Sequence, residues 1–160
     1  MQNVLIPTDF TADSFTLVEQ AIKNCDKKIN VVLFHAFAMP DSAFDMLAPD
    51  YKRPESLFMT ETFRIACKQL KDAYPQIINK ITVNCMQGNT KALFRNFVEA
   101  KDIDIICCPV AYNYVAIHER STNPLPLFKK AGIPQVKELV GSKEYVFNNK
   151  IIFSSEMAMG

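Results

Sequence analysis

The sequence predicts an α/β fold, a three-layer α/β/α sandwich around a five-stranded, mainly parallel sheet. Three observations carry that expectation. Asn3 to Pro7, Ile29 to Phe37 and Ile103 to Val110 are nearly continuous apolar runs, the mark of strands buried on both faces. Between the runs, apolar residues recur at the spacing of one helical face. Strands and helices then alternate along the chain, an order that calls for right-handed crossovers and a parallel sheet covered on both sides. At 160 residues the chain suffices for one such core and is short for two.

The elements follow in order. Asn3 to Pro7 is the first strand, stopped by Pro7-Thr8-Asp9. Thr11, Asp13 and Ser14 offer capping oxygens to a helix whose buried face is Phe15, Val18, Ala21, Ile22 and Cys25. Asp26-Lys27-Lys28 breaks that pattern before the second strand, Ile29 to Phe37. Met39 to Pro54 holds three prolines and no lasting period, so it reads as a long loop with a short helical turn at Ser42 to Leu47. Glu55 to Tyr74 is the longest helical candidate, with Met59, Phe63, Ala66, Leu70 and Ala73 on one side and Pro75 to stop it.

Ile81, Val83 and Cys85 alternate with Thr82 and Asn84 in a third strand that closes near Gly88. Thr90 can cap the next helix, which buries Leu93, Phe94, Phe97 and Ala100. Ile103 to Val110 is the fourth strand, leaving the sheet near Pro109. Pro124 suits the first turn of a helix capped by Thr122 or Asn123, and Gly132 suits its left-handed exit. Gln135 to Val140 is the fifth strand; Val146-Phe147 and Ile151-Ile152-Phe153 resemble a terminal hairpin. The chain thus divides into an α/β domain over 1–140 and an extension over 141–160.

Charge and composition narrow the function. The net charge is +1 and no basic stripe occurs, so a nucleic-acid partner is not expected. The apolar run after Met1-Gln2-Asn3 is too short for a signal-peptide core, and no stretch approaches the ~20 apolar residues of a membrane span. A soluble, cytoplasmic protein that does not engage membranes is the expectation. Cys25, Cys67, Cys85, Cys107 and Cys108 are odd in number, lie in apolar patterns and form no C-x-x-C, so they read as buried reduced thiols. His35 and His118 stand at no ligand spacing from them, and no metal site is expected.

Several segments carry a resemblance. Val4-Leu5-Ile6-Pro7-Thr8-Asp9-Phe10-Thr11-Ala12-Asp13-Ser14 looks like the first strand and turn of the universal stress protein family. Val32-Leu33-Phe34-His35-Ala36 is similar to its second strand, and Gly88 with Asp104-Ile105-Ile106 resembles its third turn and fourth strand. Phe128-Lys129-Lys130 before Ile133-Pro134 resembles its last helix and the proline opening the fifth strand. The likeness spans roughly residues 3–140 by element order. It implies the adenine nucleotide α-hydrolase-like, Rossmann-like fold and a homodimer joined through the fifth strand.

Nucleotide-binding members of that family carry Gly-x-x-Gly, nine residues, then Gly and Ser or Thr after strand four. Glycines there let backbone N–H groups close around phosphate oxygens, with a helix N-terminus facing the anion. Placed by the fourth strand, the motif falls on Cys108-Pro109-Val110-Ala111, then nine residues from Tyr112 to Arg120, then Ser121-Thr122. The spacing is kept and all three glycines are gone. Pro109 removes an amide from the cradle and Val110 adds β-branched bulk. Ser121 and Thr122 can still offer hydroxyls, and Arg120, Lys129 and Lys130 charge.

The candidate ligand cleft implied by the resemblance is Pro7, Thr8, Asp9, Ala36, Gly88, Cys108, Ala111, Ser121 and Thr122. Asp9 either lines that cleft or caps its own turn through a carboxylate–amide bond. Ala36 stands where the family contacts adenine through main chain. Gly88 either lets a ligand approach the backbone or permits a positive φ. His35 reads as a hydrogen-bonded structural histidine, and His118 with Glu119 and Arg120 as a solvated loop. Tyr112 and Tyr114 can stack on a base or pack against their own domain.

No Ser-His-Asp or Cys-His set can be assembled from the sequence, and no Gly-Lys-Ser/Thr loop occurs, so no catalytic residue is assigned. The expected function is a binding or regulatory module with a degenerate nucleotide site, acting through a partner or small ligand without a resident cofactor. Two alternatives stand beside it. One is an ATP or AMP binder with contacts rebuilt from Arg120, Ser121 and Thr122; the other is a nucleotide hydrolase of the same fold.

Overall fold

The apolar runs become strands of one sheet in a computed structural model that describes residues 1–23, 25–109, 112, 114–129 and 131–137. The strands are β1 (Gln2–Pro7), β2 (Ile29–Phe37), β3 (Ile78–Gln87), β4 (Ile105–Cys107), β5 (Ser121–Thr122) and β6 (Gln135–Val136). The helices are α1 (Asp13–Ile22), α2 (Pro49–Lys52), α3 (Pro54–Phe58), α4 (Glu61–Ala73), α5 (Lys91–Ala100) and α6 (Leu125–Phe128). Sheet order is β3-β2-β1-β4-β6, all parallel, and β5 pairs antiparallel with β2.

Continuous apolarity has the cause expected of it. Val4 and Ile6 of β1 face a core built with Val18, Ala21 and Ile22 of α1 and Phe63, Cys67 and Leu70 of α4. Leu5 faces the opposite core, built with Phe94 and Val98 of α5 and Leu127 and Phe128 of α6. Side chains alternate across a strand, so only a strand covered on both sides needs every position apolar. The second core centres on Phe34, whose ring meets Phe94 at 5.3 Å and Phe97 at 5.0 Å. Burying each such side chain contributes about 1.5–3 kcal/mol.

Several expectations are corrected. The sheet has six strands, because β5 joins it. The helix expected over 55–74 is two, α3 and α4, broken at Met59 and Thr60. Thr60 is extended and its Oγ1 accepts from Phe63 N at 3.1 Å, the geometry of an N-cap. The apolar period survives the break because Met59 and Phe63 both pack on the first core. The loop after β2 carries a 3₁₀ turn at Asp45–Leu47 as well as α2. β4 spans only Ile105–Cys107. No side chain caps α1, whose N-cap is Ala12.

Pro124 is itself the N-cap of α6, while Asn123 Oδ1 accepts from Leu125 N at 3.0 Å. Thr90 caps α5 through Leu93 N, and Gly132 has φ +72°. Of the expected fifth strand, Gln135–Val136 forms β6; residues 138–140, the terminal hairpin and the 141–160 extension lie outside the described residues. All five cysteines are free thiols. Burial pushes Cys67 up to about 11 and Cys107 to about 12, so both stay protonated at neutral pH. Among the described residues no helix is long and apolar enough to cross a membrane.

Candidate functional site

The site is built where strands of unequal length end. β1 stops at Pro7 beside Phe34, but β2 continues to Phe37. On its outer side β2 stays paired with β3 as far as Gln87. On its inner side the edge beyond Phe34 receives first Thr8 N, which donates to Phe34 O at 2.9 Å. β5 then takes that edge, pairing Thr122 with Ala36 and Ser121 with Phe37. Ala38 N donates to Arg120 O at 2.7 Å, and Thr122 Oγ1 donates to Ala36 O at 3.3 Å. The chain's own segment thus lies along the carboxyl end of β2, the side of an open α/β sheet where ligands bind.

The turn after β1 is tightly tied. Thr8 and Asp9 are buried. Thr8 Oγ1 lies 2.6 Å from Ser14 Oγ and accepts from Phe10 N at 3.0 Å. Asp9 Oδ1 accepts from Thr11 N at 3.0 Å and from the Thr11 hydroxyl, a local carboxylate turn. Phe10 pays for the tightness with φ +64°, a conformation that costs a side-chain-bearing residue of order 1–3 kcal/mol. Its ring in return packs 5.4 Å from His35 and 5.5 Å from Phe63.

His35 is 2% exposed and joins the two segments. Its Nδ1 lies 2.7 Å from Thr8 O and its Nε2 lies 2.8 Å from Ser121 Oγ. A carbonyl oxygen only accepts, so Nδ1 carries the proton and Nε2 presents a lone pair. Ser121 therefore donates its hydroxyl hydrogen to His35. Burial holds the imidazole below its ordinary pKa, opposed by the Thr8 carbonyl and Asp9 and assisted by His118. The ring is neutral at neutral pH.

His118 and Arg120 are partly buried and paired, contrary to the solvated loop the sequence suggests. His118 Nδ1 accepts from Arg120 N at 3.0 Å, which leaves Nε2 to donate to Asp50 Oδ2 at 2.9 Å. Arg120 Nη1 donates to Ala38 O at 2.7 Å and to Gln87 Oε1 at 3.1 Å. Its Nη2 stands 3.7 Å from Asp50 Oδ2, and the guanidinium lies 5.4 Å from the centre of the Phe37 ring. Arg120 is turned inward, away from any anion at the surface.

The remaining candidates are dispersed. Gly88 has φ +121° and donates its N–H to Phe37 O at 2.7 Å; a Cβ there would collide with Leu93 Cδ1. The group that approaches its backbone is therefore a side chain of this protein. Cys108 is buried with its thiol pushed up by desolvation, and Ala111 lies outside the described residues. A cavity of ≈ 100 Å³ beside Cys108, Pro109, Phe128 and Lys129 is too small for a nucleotide. Tyr112 packs on the second core. The Tyr114 hydroxyl is buried beside Ser121 without a well-formed hydrogen bond among the described residues. No three His, Cys, Asp or Glu side chains among the described residues gather as a metal would require.

Sequence reasoning named His35 and Ser121 separately and missed their pairing across 86 positions. The available signal is that His35 lies near the end of the second apolar run, beside Ala36 of the candidate cleft to which Ser121 also belongs.

No family model matches the chain, and no curated protein sequence does. Solved structures do. The chain is similar to hypothetical protein MJ0577, with a TM-score of 0.57 and 15% identity over 96% of this chain and 98% of that one. It is similar to hypothetical protein PH0823, with a TM-score of 0.56 and 17% identity over 96% and 99%. Against universal stress protein UspA from Lactobacillus plantarum the TM-score is 0.54, with 12% identity over 85% and 96%. What these proteins share with the chain is the Rossmann-like α/β fold of universal stress protein structures.

Proposed function

We propose that the chain is a divergent universal stress protein in which the nucleotide cleft is closed by its own residues, and that it works as a cytoplasmic binding or regulatory module. One observation carries the reading: β5 occupies the edge of β2 at Ala36 and Phe37. Ala36, where the resemblance places contact with the base, has its backbone paired to Thr122. The residues on which a rebuilt phosphate site would draw are engaged inside, Arg120 on Ala38 and Gln87, Ser121 on His35, and Thr122 on Ala36.

The hydrogen bonds that hold the segment set the scale. Arg120 O and Nη1, Ser121 Oγ and Thr122 Oγ1 make five of them to Ala38, Gln87, His35 and Ala36. At about 1 kcal/mol each, lifting the segment costs about 5 kcal/mol. At 1.4 kcal/mol per tenfold, that weakens an open nucleotide site by more than about a thousandfold. Thermal unfolding with ATP, AMP and adenosine at millimolar concentration tests the reading. A site held at 100 times its dissociation constant stabilises the fold by about 2.7 kcal/mol. No shift is expected; a saturable one refutes closure.

The same reading includes a homodimer. β6 is last in the sheet order and, among the described residues, pairs only with β4. An unpaired edge of that kind invites a second copy. Light scattering at two concentrations tests it, and a monomer at both removes the dimer.

A further inference from the structure

Beyond nucleotide binding, we propose that Ser121 and His35 form a nucleophile–base pair that attacks small activated acyl esters. Three independent pieces of geometry carry this. Ser121 Oγ is 2.8 Å from His35 Nε2, within reach for proton transfer. Nδ1 is held by Thr8 O at 2.7 Å, which fixes the tautomer whose lone pair faces the serine. The third is the Tyr114 hydroxyl, buried within reach of the Ser121 side chain and without a well-formed hydrogen bond among the described residues, a donor available to an oxyanion on an acyl group held at Ser121.

The supporting shell is rigid. Thr8, whose carbonyl orients the ring, is itself fixed through its N–H to Phe34 O and its hydroxyl to Ser14. The imidazole lies against Phe10 at 5.4 Å and Phe37 at 4.7 Å, which hold its plane. Ser121 sits on a paired strand, not a free loop, and is half-buried while His35 is fully buried. The nucleophile is thus partly exposed and its base is buried.

The chemistry balances. Ser121 Oγ bonds to the ester carbonyl carbon as its proton passes to His35 Nε2, and Tyr114 donates to the oxyanion. The carbon–oxygen bond to the alcohol then breaks, and the alcohol leaves with the proton from Nε2. Water, activated by the same nitrogen, releases the carboxylic acid and restores Ser121. A carbonyl orients the histidine where hydrolases use a carboxylate, so the imidazolium has weaker support and deacylation is slow. Acyl-protein should accumulate.

The test is reaction with p-nitrophenyl acetate, read as a burst of p-nitrophenolate and by peptide mapping of the acetyl group. Acetylation at Ser121 is expected, with loss of the burst in Ser121→Ala, whose fold is checked by its melting curve. His35→Gln should slow acetylation by about 10²-fold and Tyr114→Phe by at least tenfold. The burst rate should rise with pH and level off below the ordinary histidine range, because the base must be neutral; Asp9 and His118 are the titratable groups that bear on it. Acetylation confined to lysines, or a burst equal in wild type and Ser121→Ala, overturns the proposal. Should His35→Gln fail to fold, the pH profile and the Ser121→Ala comparison decide it alone.

Discussion

Replacing Arg120 by alanine tests how firmly the segment over the sheet is held. The guanidinium gives two hydrogen bonds from a charged donor, to Ala38 O and Gln87 Oε1. At the low end, about 1.5 kcal/mol each, these contribute about 3 kcal/mol. Contact with the Phe37 ring adds about 0.5 kcal/mol. Against this stands Nη2, buried, without a hydrogen bond among the described residues and 3.7 Å from Asp50 Oδ2, whose removal returns about 1 kcal/mol. The net loss is about 2–3 kcal/mol, a fall in melting temperature of about 5–10 °C for a chain of this size. Urea unfolding of wild type and Arg120→Ala measures it. Chymotryptic cleavage at Tyr114 should quicken as the segment loosens. Arg120→Lys should recover only part of the loss, since an ammonium lacks the planar guanidinium that lies against the Phe37 ring. A loss below about 0.5 kcal/mol, with unchanged proteolysis, would show that the guanidinium is not anchored inward.

Three further outcomes follow from the same geometry. The buried His35 has its folded pKa below the unfolded value of 6.5, chiefly through desolvation, so the unfolded chain takes the proton first. Stability is then complete above about pH 6.5 and declines as pH falls toward the folded value; His35→Gln should flatten that decline, and parallel Tm–pH curves would contradict it. Gly88→Ala meets both a φ of +121° and Leu93 Cδ1, so a loss of at least about 2 kcal/mol in chemical denaturation is expected. Phe34→Ala empties the centre of the second core, against Phe94, Phe97 and Phe128, and should cost about 3–5 kcal/mol; a cost under 1 kcal/mol would mean the rings collapse into the space.

What the sequence disclosed depended on whether the signal was periodic. Ile29–Phe37 is a strand with the bounds its apolar run marks, because burial on two faces writes itself into every position. Thr90 is legible as a cap because it immediately precedes an apolar face. β5 is not legible at all. Two polar residues have no period, and what makes them a strand is an edge left open by the early end of β1, more than 80 residues away. The break at Thr60 is hidden for the opposite reason, since helical spacing carries on across it. His118 and Arg120 look solvated beside Glu119, and only the fold brings Asp50 and Gln87 to them.

The absence of glycine from residues 108–122 and the pairing of β5 with β2 have one physical explanation. A parallel strand that outruns its neighbour leaves backbone groups at Ala36 and Phe37 unpaired in a region where Phe37 itself is fully buried. Such groups must be satisfied by water, by a ligand or by the chain. A glycine-rich turn stays clear and leaves the edge to a ligand, at the entropic cost of a flexible segment. Residues 108–122 bring a proline, the β-branched Val110, Val115 and Ile117 and no glycine, and they end in Ser121-Thr122, which suits pairing with a strand. The edge is satisfied from within, and Ser121 is delivered to His35 by the same pairing. A substitution that frees the edge therefore separates the two residues as well, so Arg120→Ala should weaken acetylation at Ser121 in step with its loss of stability.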